Sequence, residues 1–364
     1  MTADTCTIRS LRARAVEVPM PRPLLTGGGQ VSIAPLVLLD LETHQGITGR
    51  SYIFGYTPVT LKPLVALLNE LEKLILNQPV SPLTLAEQLQ GRFRLLGTQG
   101  LVGMAMAGVD VAAWDILAKA AELPLVRLLG GQERPIPAYN SCGLGISTTE
   151  HLLAEARDLM ASGFGAVKVR LGYPDSAADV AAVRAVRQAV GDEVLIMSDY
   201  NQSLSVPEAQ QRAQRLDAEG LYWIEEPTRA EDYAGHAQIR TTARTPIQIG
   251  ENCWGPHDMA KALAAGACDF FMSDVIKIGG VTGWLRAIAL AEPVGLPISS
   301  HLYPELSAHL LAVTPTAHWL EYMDWANAIL DQPLRIQDGQ AVIPTTPGNG
   351  LSWNERAVEQ YLRR

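Results

Sequence analysis

The chain has 364 residues, 48% of them apolar and 18% charged, and a formal net charge of -9. That length suits a barrel plus a smaller domain, and the apolar content predicts a large buried core. The absence of a long basic run argues against nucleic-acid binding, and four cysteines without CxxC spacing argue against a zinc–sulfur site or a disulfide framework. The N-terminal sequence MTADTCTIRSLRARAVEVP has no apolar signal core, and no apolar run reads as long enough to span a membrane. A soluble, cytoplasmic protein is expected.

In chain order, residues 7–19 and 35–43 read as strands of a small sheet. Between them lies PRPLLTGGGQVS, whose three consecutive glycines predict a mobile loop. Its length and glycine content fit a plain connection and a lid over a site equally well. Residues 60–130 carry helical spacing, and GLVGMAMAGVDVAAWDILAKAAELP is apolar nearly all round, as a buried helix is. An α+β capping domain is thus predicted over residues 1–131.

From Ile136 onward the pattern alternates. Short apolar runs (PAYNSC, AVKVRLG, EVLIMSDYN, YWIEEP, PIQIGEN, DFFMSDVIKIGG, PISSH) are each followed by a helix-like stretch. Repeated β-then-α units imply a parallel sheet, and about seven of them fit a closed (β/α) barrel over residues 132–330 better than an open sheet. The fold class is therefore α/β, with residues 331–364 expected to return to the capping domain.

Catalytic groups of such barrels sit at the C-terminal ends of the strands. Here those ends carry Ser141, Lys168 with Arg170, Asp199 with Asn201, Glu225 with Glu226, Glu251 with Asn252, Asp274 with Lys277, His301 and Glu321. Strand alternation puts Lys168 and Arg170 on one face, so something negative is expected opposite them. Asp199, Glu225 and Glu251 end consecutive strands, and three carboxylates at one barrel mouth repel unless a cation joins them. Oxygen ligands alone point to magnesium rather than zinc. His301 paired with Asp274 can act as a general base, and Glu321, if buried, is a candidate protonated acid. Lys277 reads either as a partner for the carboxylates around the metal or as a surface lysine.

The ordered segments KVRLGYP, MSDYNQSL, YWIEEPT, GENCWGP, SDVIKIGGVTGW, SSHLYPELSAHLLAVTPTAHWLE and AVIPTTPGNG resemble the mandelate racemase group of the enolase superfamily. APLVLLDL, GRSYIFGYTPV and AAWDILAKA extend the likeness through the N-terminal half. The resemblance implies a capping domain on a modified TIM barrel, (β/α)7β, with one Mg2+ per subunit held by Asp199, Glu225 and Glu251. It implies an Asp274–His301 dyad as base, Glu321 hydrogen-bonded to the substrate carboxylate, and Lys168 neutralising that carboxylate. Ser141 and Asn201 match positions near the substrate, and Leu24, Val31, Phe54, Tyr56, Leu95, Leu302 and Met323 match the side-chain pocket. The glycine-rich loop matches the lid, and an octamer follows by analogy.

The shared chemistry is removal of the proton α to the carboxylate of a 2-hydroxy acid. One residue departs from the pattern. The family's second base is a lysine two positions after Lys168, where this chain has Arg170. Arginine almost never gives up its proton near neutrality. The apolar pocket and the chain-wide likeness favour racemisation or epimerisation of an apolar or aryl 2-hydroxy acid. The arginine favours a dehydratase with His301 as its single base. A non-catalytic binding relative is the reading from another class; an intact triad and dyad argue against it.

Overall fold

The computed structural model describes residues 6–363. Residues 1–5 of the N-terminal sequence read as lacking a signal core lie outside the described residues, as does Arg364, the last residue of the C-terminal segment.

Three antiparallel strands, β1 (Ile8–Thr26), β2 (Gly29–Thr43) and β3 (Thr48–Phe54), form a small sheet in that order. The first two are longer than the sequence predicted. PRPLLTGGGQVS forms the arms and tip of a hairpin, with Leu24 opposite Val31 and Thr26 opposite Gly29. The register shifts between Ile8 and Ser10 and again between Pro19 and Leu24, where two prolines have no N–H to contribute. The tip rests on the barrel. Ile146 N donates to Leu25 O at 2.6 Å, and a Cβ on Gly27 would lie 2.7 Å from Tyr200 O.

Helices α1 (Leu61–Ile75), α2 (Pro82–Arg92), α3 (Gly100–Ala120) and α4 (Leu125–Leu128) complete the cap. Over its 21 residues α3 is long and apolar enough to cross a membrane, contrary to the sequence reading. Its most apolar window is 72% buried within the protein. Gly108 packs against Leu39 and Ile53 of the small sheet, and the buried Asp110 accepts hydrogen bonds from Thr282 of the barrel. This is a core helix, apolar because most of its surface is covered by the rest of the protein.

Eight parallel strands follow: β4 (Ile136–Asn140), β5 (Ala166–Arg170), β6 (Leu195–Asp199), β7 (Trp223–Glu225), β8 (Ile247–Ile249), β9 (Phe270–Asp274), β10 (Ile298–His301) and β11 (Leu320–Tyr322). Seven helices alternate with them: α5 (Thr149–Met160), α6 (Ser176–Val190), α7 (Val206–Leu216), α8 (Tyr233–Thr242), α9 (Pro256–Ala265), α10 (Gly280–Ala291) and α11 (Pro304–Ala312). Strands β4 to β10 pair in sequence, and β11 pairs with β4. His318 N donates to Ile298 O at 2.8 Å and Ser300 N to Trp319 O at 2.9 Å, which joins β10 to the β11 region and closes the ring. The outcome is a (β/α)7β barrel. Tyr139, Ala166, Met197 and Trp223 pack together inside it, so it is a filled core with its chemistry at one mouth.

The C-terminal segment forms a hairpin, β12 (Arg335–Gln337) and β13 (Gln340–Val342), that adds antiparallel to β4, and then α12 (Glu355–Tyr361). It returns to the cap: Trp353 Nε1 donates to Asp40 at 2.8 Å and Asn349 N to Asp115 at 2.7 Å. Tyr52 and Phe54 of β3 bond to Glu305 and Tyr303 at the start of α11. The cap thereby sits over the C-terminal ends of the strands.

Candidate active site

Strand register levels the functional residues. Arg170 stands beside Asp199, Asp199 beside Glu225, and Asp274 beside His301, all at the C-terminal ends. Glu251 follows β8 by two residues, after Gly250 at φ +125°, where a Cβ would meet Met272 O at 2.7 Å. Only glycine makes that turn and brings Glu251 into the mouth.

Asp199, Glu225 and Glu251 are buried, and each offers an oxygen within 4.8 Å of the other two. Burial raises the pKa of Asp199 and of Glu225; Lys168 opposes the rise, and the neighbouring carboxylates add to it. Three desolvated oxygen donors in mutual repulsion fit a hard dication.

Lys168 is the pivot. Its Nζ lies 2.7 Å from Glu225, 2.7 Å from Glu321 and 3.5 Å from Asp199. Burial alone would depress its pKa, but Glu225 and Glu321 hold it well above the ordinary lysine range. Arg170 shares the face but not the partners. One guanidinium nitrogen donates to the carbonyls of Ser141 (2.8 Å) and Gly143 (2.7 Å), the other to Ser141 Oγ at 2.8 Å. Among the described residues no carboxylate lies within 4.0 Å of Arg170. Its charge is fixed on backbone dipoles at the edge of the cavity.

His301 Nδ1 is 2.8 Å from Asp274 Oδ2. The other oxygen of Asp274 accepts from the backbone N–H groups of Ile276 and Lys277, which locks the carboxylate in place. The opposite ring nitrogen, Nε2, faces Glu251 at 3.3 Å and Glu321 at 4.0 Å. Burial acts to lower the imidazole pKa, but Glu251, the Asp274 bond and Glu321 together lift it to about 9.

Glu321 corrects an expectation. Its burial was to keep it protonated. Desolvation does push its pKa up, but Lys168 and His301 outweigh it and hold the carboxyl well below its usual range. It also accepts from Ser141 Oγ (2.8 Å) and Leu302 N (2.9 Å). Carboxylates with such donors stay ionised.

These groups line a cavity of about 560 Å³ whose far wall is apolar. Leu24, Val31, Phe54, Tyr56, Leu302 and Met323 line it, as do Lys168, Arg170, Asp199, Asn201, Glu251, His301 and Glu321. Ser141 touches it only through Arg170 and Glu321. Leu95 does not line it. The chain after α2 turns outward, and Leu95 is fully exposed.

Sequence reasoning missed several lining residues. Trp254, Met104 and Trp325 come from loops and a cap helix whose approach to the barrel has no local signature. Asn252 and Glu226, noted at strand ends but given no role, stand beside two of the carboxylates: Asn252 lines the cavity, and its Nδ2 donates to Glu226 at 2.7 Å and to Glu251 at 3.0 Å.

Two family descriptions match the chain: the mandelate racemase / muconate lactonizing enzyme N-terminal domain over residues 9–130, and the enolase C-terminal domain-like family over residues 151–357. An enolase from Bradyrhizobium, solved with magnesium and mandelic acid, superposes with a TM-score of 0.96 at 46% identity, covering 100% of both chains. An enolase from an alpha-proteobacterium, solved with magnesium, gives 0.97 at 42% identity over 99% of this chain and 100% of its own. The L-talarate/galactarate dehydratase of Salmonella typhimurium is 33% identical over 72% of this chain and 66%, just under two thirds, of its own length.

Proposed function

The chain belongs to the mandelate racemase / muconate lactonizing enzyme family of the enolase superfamily, and from that premise we propose that it is a magnesium-dependent hydro-lyase acting on a 2,3-dihydroxycarboxylate with an apolar substituent. The observation that carries this reading is the tethering of Arg170 to the Ser141 and Gly143 carbonyls. A second base would have to stand at that position. A guanidinium held by two carbonyls and a hydroxyl is a fixed charge and does not exchange protons.

Asp199, Glu225 and Glu251 would hold one Mg2+ per subunit, which would supply a Lewis acid to disperse the charge of an enediolate. Lys168 opposes the substrate carboxylate, and Arg170 adds its field from behind Ser141. Glu251 is the chief group raising the His301 pKa, so a dication bound there would favour the neutral imidazole, which takes the α-proton at Nε2 while the C–H electron pair moves into the carboxylate. The pair then forms the C2–C3 double bond, the β C–O bond breaks, and the imidazolium returns its proton to the departing hydroxide as water. The enol so formed ketonises to a 2-oxo acid. Asp274 fixes the tautomer of His301 throughout. The relation to a talarate/galactarate dehydratase supports this assignment.

Proton transfer between the two faces of one carbon is the second reading. The apolar wall and the mandelic acid held by the Bradyrhizobium relative favour it. Deuterium incorporation at C2 of each enantiomer of an aryl 2-hydroxy acid separates the two. One-base chemistry labels a single enantiomer and leaves its configuration unchanged; labelling of both with inversion establishes the second reading.

A further inference from the structure

Three cations line or border the active-site cavity, and two are already committed. Lys168 faces three carboxylates, and Arg170 is spent on two carbonyls and a hydroxyl. Lys277 is not. It is 6% exposed and lines the cavity, yet its Nζ makes one hydrogen bond, to Asn252 Oδ1 at 2.5 Å. Among the described residues no carboxylate lies within 4.0 Å of it. The Tyr56 ring lies 4.1 Å from the ammonium. A lysine has three N–H donors, so two have no acceptor in the protein and are directed to the cavity, where a polar ligand group can meet them.

Its position is informative. Asn252, which holds the ammonium, also bonds Glu251, and Glu251 faces His301 Nε2 at 3.3 Å. Tyr56, whose ring covers the ammonium, donates to the Asp274 oxygen that binds His301, at 3.3 Å. Lys277 and the base are thus both linked to Glu251, the lysine through Asn252 and His301 directly. Charge narrows the partner. Asp199, Glu225, Glu226, Glu251, Asp274 and Glu321 cluster with Lys168, Arg170 and Lys277. At full ionisation a dication brings these close to balance before the substrate carboxylate arrives. A second substrate carboxylate would build a surplus of negative charge, whereas a neutral oxygen would not.

Building on the dehydratase reading above, we propose that Lys277 is a specificity-determining residue that hydrogen-bonds the β-hydroxyl of the substrate on the His301 face. It selects 2,3-dihydroxy acids over 2-hydroxy acids of the same shape and sets the leaving oxygen beside the base. A site built around a substrate hydroxyl discriminates strongly against the analogue without it, because its own donor is then left unpaired.

The test uses the full chain with magnesium and two acids, 2,3-dihydroxy-3-phenylpropionate and 2-hydroxy-3-phenylpropionate. Affinities are measured by calorimetry in the His301→Asn background, which blocks turnover, with and without Lys277→Met or Lys277→Gln. The background chain is expected to bind the dihydroxy acid at least about tenfold more tightly. Lys277→Met, which keeps the length and loses the donors, is expected to erase that ratio, and Lys277→Gln, which keeps a donor, to restore part of it. Equal affinity for the two acids in the background chain overturns the proposal. So does an equal loss on both acids in Lys277→Met, which marks a structural lysine. The dehydratase reading fails separately, if the chain with His301 intact exchanges the α-proton of the dihydroxy acid but releases no water.

Discussion

Arg170 and Lys168 are two residues apart on one strand and face the same mouth, yet their partners divide their work. Lys168 is held among carboxylates that also form the metal site, and Arg170 by neutral oxygens. Replacing Lys168 with Met removes the charge opposite the substrate and the counter-charge of Glu321 together. Turnover is expected to fall by about 10³ or more, with the far-ultraviolet spectrum and metal binding kept. Arg170→Lys restores the residue type of a second base, and the shorter side chain cannot reach both carbonyls at once. That variant is expected to incorporate deuterium into the enantiomer the parent ignores, detectable by NMR, while the parent's own reaction slows. The sequence made these roles legible because alternation and strand ends are local patterns. The ionisation of Glu321 was not legible. It depends on Lys168 and His301, which are 153 and 20 positions away and meet it only in the closed barrel.

The β1–β2 hairpin shows what elements add. Composition alone made PRPLLTGGGQVS a loop, because glycine and proline disfavour strands. Pairing across the hairpin outweighs that preference, and docking against the barrel fixes the tip. Gly27 is the contact where the tip meets the barrel. Gly27→Val would bring a Cβ to 2.7 Å from Tyr200 O and from the Ser203 Cβ, so the tip must lift. KM is expected to rise about tenfold with little change in melting temperature, because the tip covers the cavity without carrying the core. A fall in melting temperature of many degrees would show that the tip is structural. Leu95 is the opposite lesson. A motif match placed it in the pocket, but the chain between α2 and α3 turns it outward, and the direction of a connection is set by tertiary packing that no short segment encodes.

On the scale of the whole molecule, burial of titratable groups away from the site sets the response to acid. His309 and His318 are held neutral, their pKa values pushed down to about 4 by desolvation. A histidine whose folded pKa is depressed contributes stability that is present above the unfolded value of about 6.5 and lost as pH falls toward the folded one. Between about pH 6.5 and pH 4 His309 alone is therefore expected to cost ~3 kcal/mol, while the carboxyls of Asp110 and Glu305, raised to about 7 by burial, act in the opposite direction; the difference between parent and His309→Gln denaturant melts across that window measures the histidine's share. A difference between the two chains that does not change with pH would contradict the burial. Magnesium should act in the other direction at neutral pH. A ligand held only by the folded chain at a hundred times its Kd contributes about 2.7 kcal/mol, seen as a higher Tm with magnesium and absent from Asp199→Asn. The β-then-α order that makes this barrel was legible from periodicity. The return of residues 331–364 to the cap was expected too, but its partners Asp40 and Asp115 and the closing contacts of β10 with the β11 region were not legible, since they join residues far apart in the chain.

The account stands or falls on a dication-assisted ionisation of a C–H bond by His301 alone. The direct measurement is NMR in deuterium oxide of the magnesium-loaded enzyme with each C2 epimer of a 2,3-dihydroxy acid. One epimer is predicted to lose water and give a single 2-oxo acid, while the other stays unlabelled. Conversion of each epimer into the other, with no 2-oxo acid formed, would contradict it.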